Sequence, residues 1–148
     1  MTVSQILAAA SERYGSLSEP NFSFVSTALR GGQYGHVKDS LEAAGFAVRE
    51  DTDENEDVCR SFVLGRSGQT RVLQLSLVIP AMVVLSPEGI VEDGTKPVVA
   101  EVLSLLEEAG CSPMTVVGRD LAGVKVRFGD EMVPLYRVLF SDTEGMPA

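Results

Sequence analysis

The segment from Val72 to Leu85 is the most apolar part of the chain, and it constrains the fold more than any other stretch. It is too short to cross a bilayer, and Gln74, Ser76 and Pro80 interrupt it. Thr70 to Ile79 reads as a strand, because Leu73, Leu75, Leu77 and Ile79 share one side of a two-residue period. Pro80 should end or bend that strand, and Ala81 to Leu85 reads as a further short one. Upstream, Gly65-Arg66-Ser67-Gly68-Gln69 is a turn signal, which makes Val58 to Leu64 the other arm of a hairpin.

Three segments carry helical spacing. Thr2 with Gln5 resembles a capping box, Val3, Ile6, Leu7, Ala10 and Tyr14 then follow the helical period, and Gly15 can stop the helix. A second helix is expected from about Gln33 to Ala44, with Gly45 as its stop. A third is expected from about Lys96 to Ala109, with Val99, Val102, Leu103 and Leu106 on one face and Gly110 behind it. Phe22 to Arg30 reads as a strand, since Phe22 and Phe24 alternate with Ser23 and Val25. Phe46 to Arg49 reads as another. After the third helix, Met114 to Val117, Val124 to Phe128 and Val133 to Phe140 read as an antiparallel meander, with turns at 120–123 and 129–131. Most connections are short turns. The expected fold is therefore α+β: a mainly antiparallel twisted sheet of six to eight strands with about three helices packed on one face. The length suits a single domain over 1–148, with a frayed tail at 141–148.

The formal net charge is -9, and its distribution is uneven. Glu50, Asp51, Asp53, Glu54, Glu56 and Asp57 crowd into eight positions; without them fifteen acids face twelve bases, which leaves -3. Such a block is expected to be a solvated loop between the strands that begin near Phe46 and resume near Val58. The acidity argues against a nucleic-acid partner and against an anionic membrane surface, and it permits a basic protein partner. Asp51, Asp53 and Asn55 have the alternate spacing of a calcium loop. However, Glu56 stands where that loop needs Gly, and Phe62 stands where it needs a bidentate Glu.

No catalytic constellation, metal site or cofactor motif emerges. Arg30-Gly31-Gly32-Gln33-Tyr34-Gly35-His36 precedes a helix, so Arg30, Gly31, Gly32, Tyr34 and His36 form a candidate turn for a small-ligand-binding domain or an enzyme, although P-loop and dinucleotide spacing are missing. His36 is the sole histidine. Cys59 and Cys111 lie in no CxxC pair and suit a reducing compartment as small core hydrophobes. Ser67 lacks the glycine that a nucleophile elbow requires at Gln69. Arg60, Arg66 and Arg71 cluster on one expected hairpin, and Lys125, Arg127 and Arg137 on another; strand arginines protect sheet edges or present a phosphate or partner surface.

In size and charge the chain resembles small acidic immunity proteins that neutralise bacterial toxins. That likeness implies a cytoplasmic, non-enzymatic inhibitor docking a basic partner, and it assigns no residue a role. The order from Gln33 to Ala109 (helix, strands, helix) is loosely similar to secretion chaperones, although Ala81 to Leu85 and the C-terminal meander fit that order less well; a homodimer would favour this reading over a monomer. The segment Glu50 to Asp57 is the expected docking surface for a basic partner.

Overall fold

A computed structural model describes residues 1–141. Helix α1 spans Val3–Tyr14, and the Thr2–Gln5 capping box forms as the sequence suggests, with both reciprocal hydrogen bonds present. Helix α2 spans Ser23–Arg30 and α3 spans Val37–Ala43. Strands β1 (Ala47–Glu50), β2 (Cys59–Arg66), β3 (Gln69–Ser76) and β4 (Ala81–Leu85) follow. Helix α4 (Pro97–Glu108) then leads to β5 (Met114–Thr115). Short helix α5 (Gly118–Gly123), strands β6 (Lys125–Phe128) and β7 (Glu131–Pro134), and helix α6 (Leu135–Leu139) complete the described chain. Residue 141 is buried; the rest of the expected tail, 142–148, lies outside the described residues.

The strands divide between two sheets rather than forming one. Five pair in the order β1-β2-β3-β4-β5, and β6 with β7 makes a separate hairpin. The β2–β3 arms meet at Arg66↔Gln69. Ser67 and Gly68 alone make the turn, both at positive φ (54° and 75°), as a two-residue hairpin loop compatible with right-handed strand twist requires. The sheet is mixed, because β5 runs parallel to β4 through Ala81↔Met114. Helix α4 lies between those strands in sequence and provides the crossover a parallel pair needs. The expected meander is thereby corrected at its first strand.

Helices cover both faces of the five-stranded sheet, not one. Strand β4 shows why: Ala81, Val83 and Leu85 belong to one apolar core, and Met82 and Val84 to another. The first core collects α1, α5, α6 and the small hairpin; the second collects α3 and α4. Leu73 and Leu75 face the second core, while Leu77 and Ile79 belong to the first, so the four do not share a face. The strand ends at Ser76, whose buried Oγ accepts from the N–H groups of Val78 (3.1 Å) and Ile79 (3.3 Å) and donates to the Leu139 carbonyl (2.6 Å). A side-chain oxygen that takes two successive backbone donors offers the chain an alternative to the ladder and turns it.

Two expected strands are helices. The expected strand Phe22–Arg30 is α2 (Ser23–Arg30) with Phe22 as its N-cap: Asn21 Oδ1 accepts from the Ser23 N–H (2.9 Å) and starts the turn, and Val25, Ala28 and Leu29 have the spacing of a helical face. Residues 133–140 split at Pro134, which cannot donate to a ladder; beyond it Leu135, Tyr136, Val138 and Leu139 are all buried in α6. The expected turn at 120–123 is part of α5, which brings the helices to six among the described residues.

Candidate functional site

The acidic segment leaves β1 at Glu50 and returns to the sheet at Val58, and its six acids behave differently. The Arg60 guanidinium holds Glu50 from two nitrogens (Nε to Oε2 3.0 Å, Nη2 to Oε1 2.6 Å), and this pairing pulls the Glu50 carboxyl below its ordinary value. Arg60 also donates to the Gln33 carbonyl (2.8 Å), so this pair ties β1 and β2 to the α2–α3 connection. Asp57 is 7% exposed. Its carboxylate accepts from the Ser141 hydroxyl (2.7 Å) and the Asp53 N–H (2.9 Å), and burial outweighs those bonds to push its pKa up. A block expected to be solvated throughout is therefore anchored at both ends. Between the anchors Asp51, Asp53, Glu54 and Glu56 are exposed. Asp53 Oδ1 accepts from the Asn55 N–H (2.9 Å) and shapes the loop tip, and Asp51 lies 3.6 Å from the exposed Arg49.

The segment forms one wall of a cavity of about 380 Å³. Glu54, Glu56 and Asp57 line it from the loop, Phe22 and Val25 from α2, Phe128 from β6, and Arg137 from α6. The rings belong to an aromatic cluster built on buried Tyr14, whose hydroxyl donates to the Val138 carbonyl (2.6 Å). Phe22, Phe24 and Phe128 each meet Tyr14 edge to face at centroid distances of 5.0–5.4 Å, and Phe22 meets Phe128 at 5.8 Å. Phe22 nonetheless remains 47% exposed. Arg137, the cationic wall residue, lies 3.9 Å from Glu131. Sequence reasoning missed Phe22 and Phe128 because a strand reading of 22–30 hid the face of α2, and because the two rings are remote in sequence.

The Arg30–His36 turn joins two helices, since Ser23–Arg30 is helical, and is not the strand-to-helix turn expected. Arg30 is exposed and bonds back to the Ser26 carbonyl (3.3 Å); Gly31, Gly32 and His36 are exposed. Tyr34 takes a positive φ of 63°, which costs a non-glycine residue about 1–2 kcal/mol, and its hydroxyl reaches inward to the Ser76 carbonyl (2.8 Å). Burial raises the Tyr34 pKa. Tyr34 thus anchors the turn to the end of β3, and residues 30–36 line neither the cavity beside the acidic segment nor the one at the tip of the β2–β3 hairpin. Cys59 is fully buried in the first core, and burial pushes its thiol well above the ordinary range, whereas His36 faces solvent. Among the described residues no three His, Cys, Asp or Glu side chains converge to hold a metal ion, and no helix is long and apolar enough to cross a membrane.

No family model, curated protein or solved structure matches this chain. The chemistry of the site therefore rests on its own residues: an aromatic floor, exposed carboxylates at the rim, and a loop held at both ends.

Proposed function

We propose that the chain is a non-enzymatic binding protein that docks a basic segment of a protein partner in the Phe22–Phe128 cleft, against Glu54 and Glu56. One observation carries this reading: exposed carboxylates without hydrogen-bond or ion-pair partners among the described residues stand beside an incompletely covered aromatic surface. Lysine and arginine side chains have an apolar stem and a charged head. The stem can lie on the rings while the head meets the carboxylates, with a cation–π contribution from Phe22 or Phe128. The concentrated negative field of the segment favours encounter with a positive surface. An immunity-type inhibitor that neutralises a basic bacterial toxin in the cytoplasm is the form of this reading that the size and charge of the chain support.

Titration with a labelled arginine-rich peptide tests the cleft. Wild-type protein should bind saturably and more weakly at high salt, and Phe22→Ala should weaken binding roughly fivefold or more although no charge changes. Equal affinity of wild type and Phe22→Ala would reduce the interaction to non-specific attraction and sink the proposal.

The order α3–β1–β2–β3–β4–α4 supports a second reading, a secretion-chaperone-like binding protein. A homodimer in sedimentation equilibrium would favour it, and a purely monomeric species would weaken it.

A further inference from the structure

A cavity of about 470 Å³ lies away from the acidic segment, between the tip of the β2–β3 hairpin and the N-terminal turn of α4. Its volume falls in the ordinary range of small-molecule sites. The hairpin register explains its chemistry. Leu64 pairs with Arg71 and Arg66 with Gln69, so the two-residue period aims both arginines at the face that carries α4. Lys96, the residue before α4, adds a third cation to the wall.

Two features make this wall electropositive in a chain that is acidic overall. Three cations face two carboxylates there, Glu92 and Glu101. In addition, α4 begins without a side-chain cap and without an acid in its first turn, and a lysine sits at the positive end of the helix dipole, where a cation is unfavourable. Pro97 has no N–H, so Val98, which also lines the cavity, carries the first backbone donor of the helix. Asp93, the nearest acid upstream, is occupied by the N–H and hydroxyl of Thr95.

The arginines are held but not exhausted. Arg66 lies over the Phe46 ring, 3.9 Å from its centroid, and its fork engages both oxygens of Glu101. Arg71 Nε is 3.0 Å from Glu92, yet makes no well-directed hydrogen bond there. Arg66–Glu101 has the geometry by which guanidinium grips any planar or tetrahedral oxyanion. Glu101 therefore occupies that grip as an internal carboxylate.

We propose that this cavity is a binding site for a small oxyanion of the phosphate-monoester class, held by Arg71, Lys96 and the N-terminal turn of α4, with Arg66 shared between the ligand and Glu101. This site is separate from the cleft proposed for a basic partner and does not depend on it.

Amide-resolved NMR titration with inorganic phosphate and with glycerol 3-phosphate, against chloride at equal ionic strength, tests the site. Saturable shifts confined to the amides of Ser67, Gln69, Val98 and their neighbours are expected for both inorganic phosphate and glycerol 3-phosphate. Lys96→Gln, an exposed change that leaves the core intact, and Arg71→Met should each weaken binding roughly tenfold, the scale of one charge-assisted hydrogen bond. Glu101→Gln should tighten it by releasing Arg66. Shifts no larger than those from chloride, or affinity unchanged in folded Lys96→Gln, would overturn the proposal.

Discussion

The Asp57 carboxylate accepts a 2.7 Å hydrogen bond from the Ser141 hydroxyl across 84 residues of sequence, and both groups are buried. This contact fixes the far end of the acidic segment against the residues that follow α6, beside the Val58 N–H bond to the Phe140 carbonyl (2.9 Å). With the Glu50–Arg60 pair at the near end, it leaves Asp51, Asp53, Glu54 and Glu56 as the acids that face solvent.

Asp57→Asn should change the pH dependence of stability in a defined direction. Burial raises the folded pKa of Asp57 above its ordinary value of 3.8, so the folded state binds this proton more tightly than the unfolded state does. The resulting stabilisation is fully present below 3.8 and is lost as pH rises through the folded value. Asparagine avoids the burial of a charge and can still accept from Asp53 and donate to Ser141. The variant should therefore gain Tm relative to wild type at pH 7, and that gain should vanish in thermal melts below about pH 4.

Glu54→Lys with Glu56→Lys separates binding from folding. Neither side chain has a hydrogen bond or ion pair among the described residues, so the melting temperature should move little, as surface substitutions usually change stability by less than about 0.5 kcal/mol. Affinity for an arginine-rich peptide should fall at least roughly tenfold, given reversal of two charges. Isothermal titration of a variant with an unchanged circular dichroism spectrum checks both halves. Asp57 is left out of this variant because a buried lysine there would test stability instead.

Ser76→Ala should be costly for so small a change. The hydroxyl is fully buried and serves three backbone groups, the N–H of Val78, the N–H of Ile79 and the carbonyl of Leu139. Leaving buried partners unsatisfied costs about 1–3 kcal/mol for each group, and relaxation should limit the total to about 2–4 kcal/mol. Urea unfolding measures it, and a midpoint equal to wild type would show that the turn after β3 is held by packing alone.

Thiol labelling should distinguish the cysteines. Cys59 is buried and its thiol is held in the neutral form, while Cys111 is partly exposed after α4. One equivalent of a thiol-disulfide reagent should react under native conditions and two after unfolding, with peptide mapping placing the first on Cys111.

Much of the local structure was legible in the residues. The Thr2–Gln5 cap, the Ser67–Gly68 turn and the α4 stripe of Val99, Val102 and Leu106 rest on interactions within a few positions, so neighbours in sequence carry the signal. Phe22–Arg30 was not legible in the same way. Its Phe22–Phe24 alternation fits a strand and its Val25–Ala28–Leu29 spacing fits a helix, and packing of Phe22 and Phe24 on Tyr14 selects the helix. The hydrogen bond from the Ser23 N–H to Asn21 Oδ1 starts that helix in the structure.

The candidate site divides along the same line. The sequence alone located the acidic segment and the arginine-rich hairpin, because charge blocks and turns are written in consecutive residues. Only the tertiary structure decided which acids are structural, which rings stand beside them, and that Arg66, Arg71 and Lys96 share a cavity with the start of α4. Those facts depend on which faces of β2, β3 and α2 are buried against distant residues. Burial is a property of the whole fold, and no short window of sequence contains it.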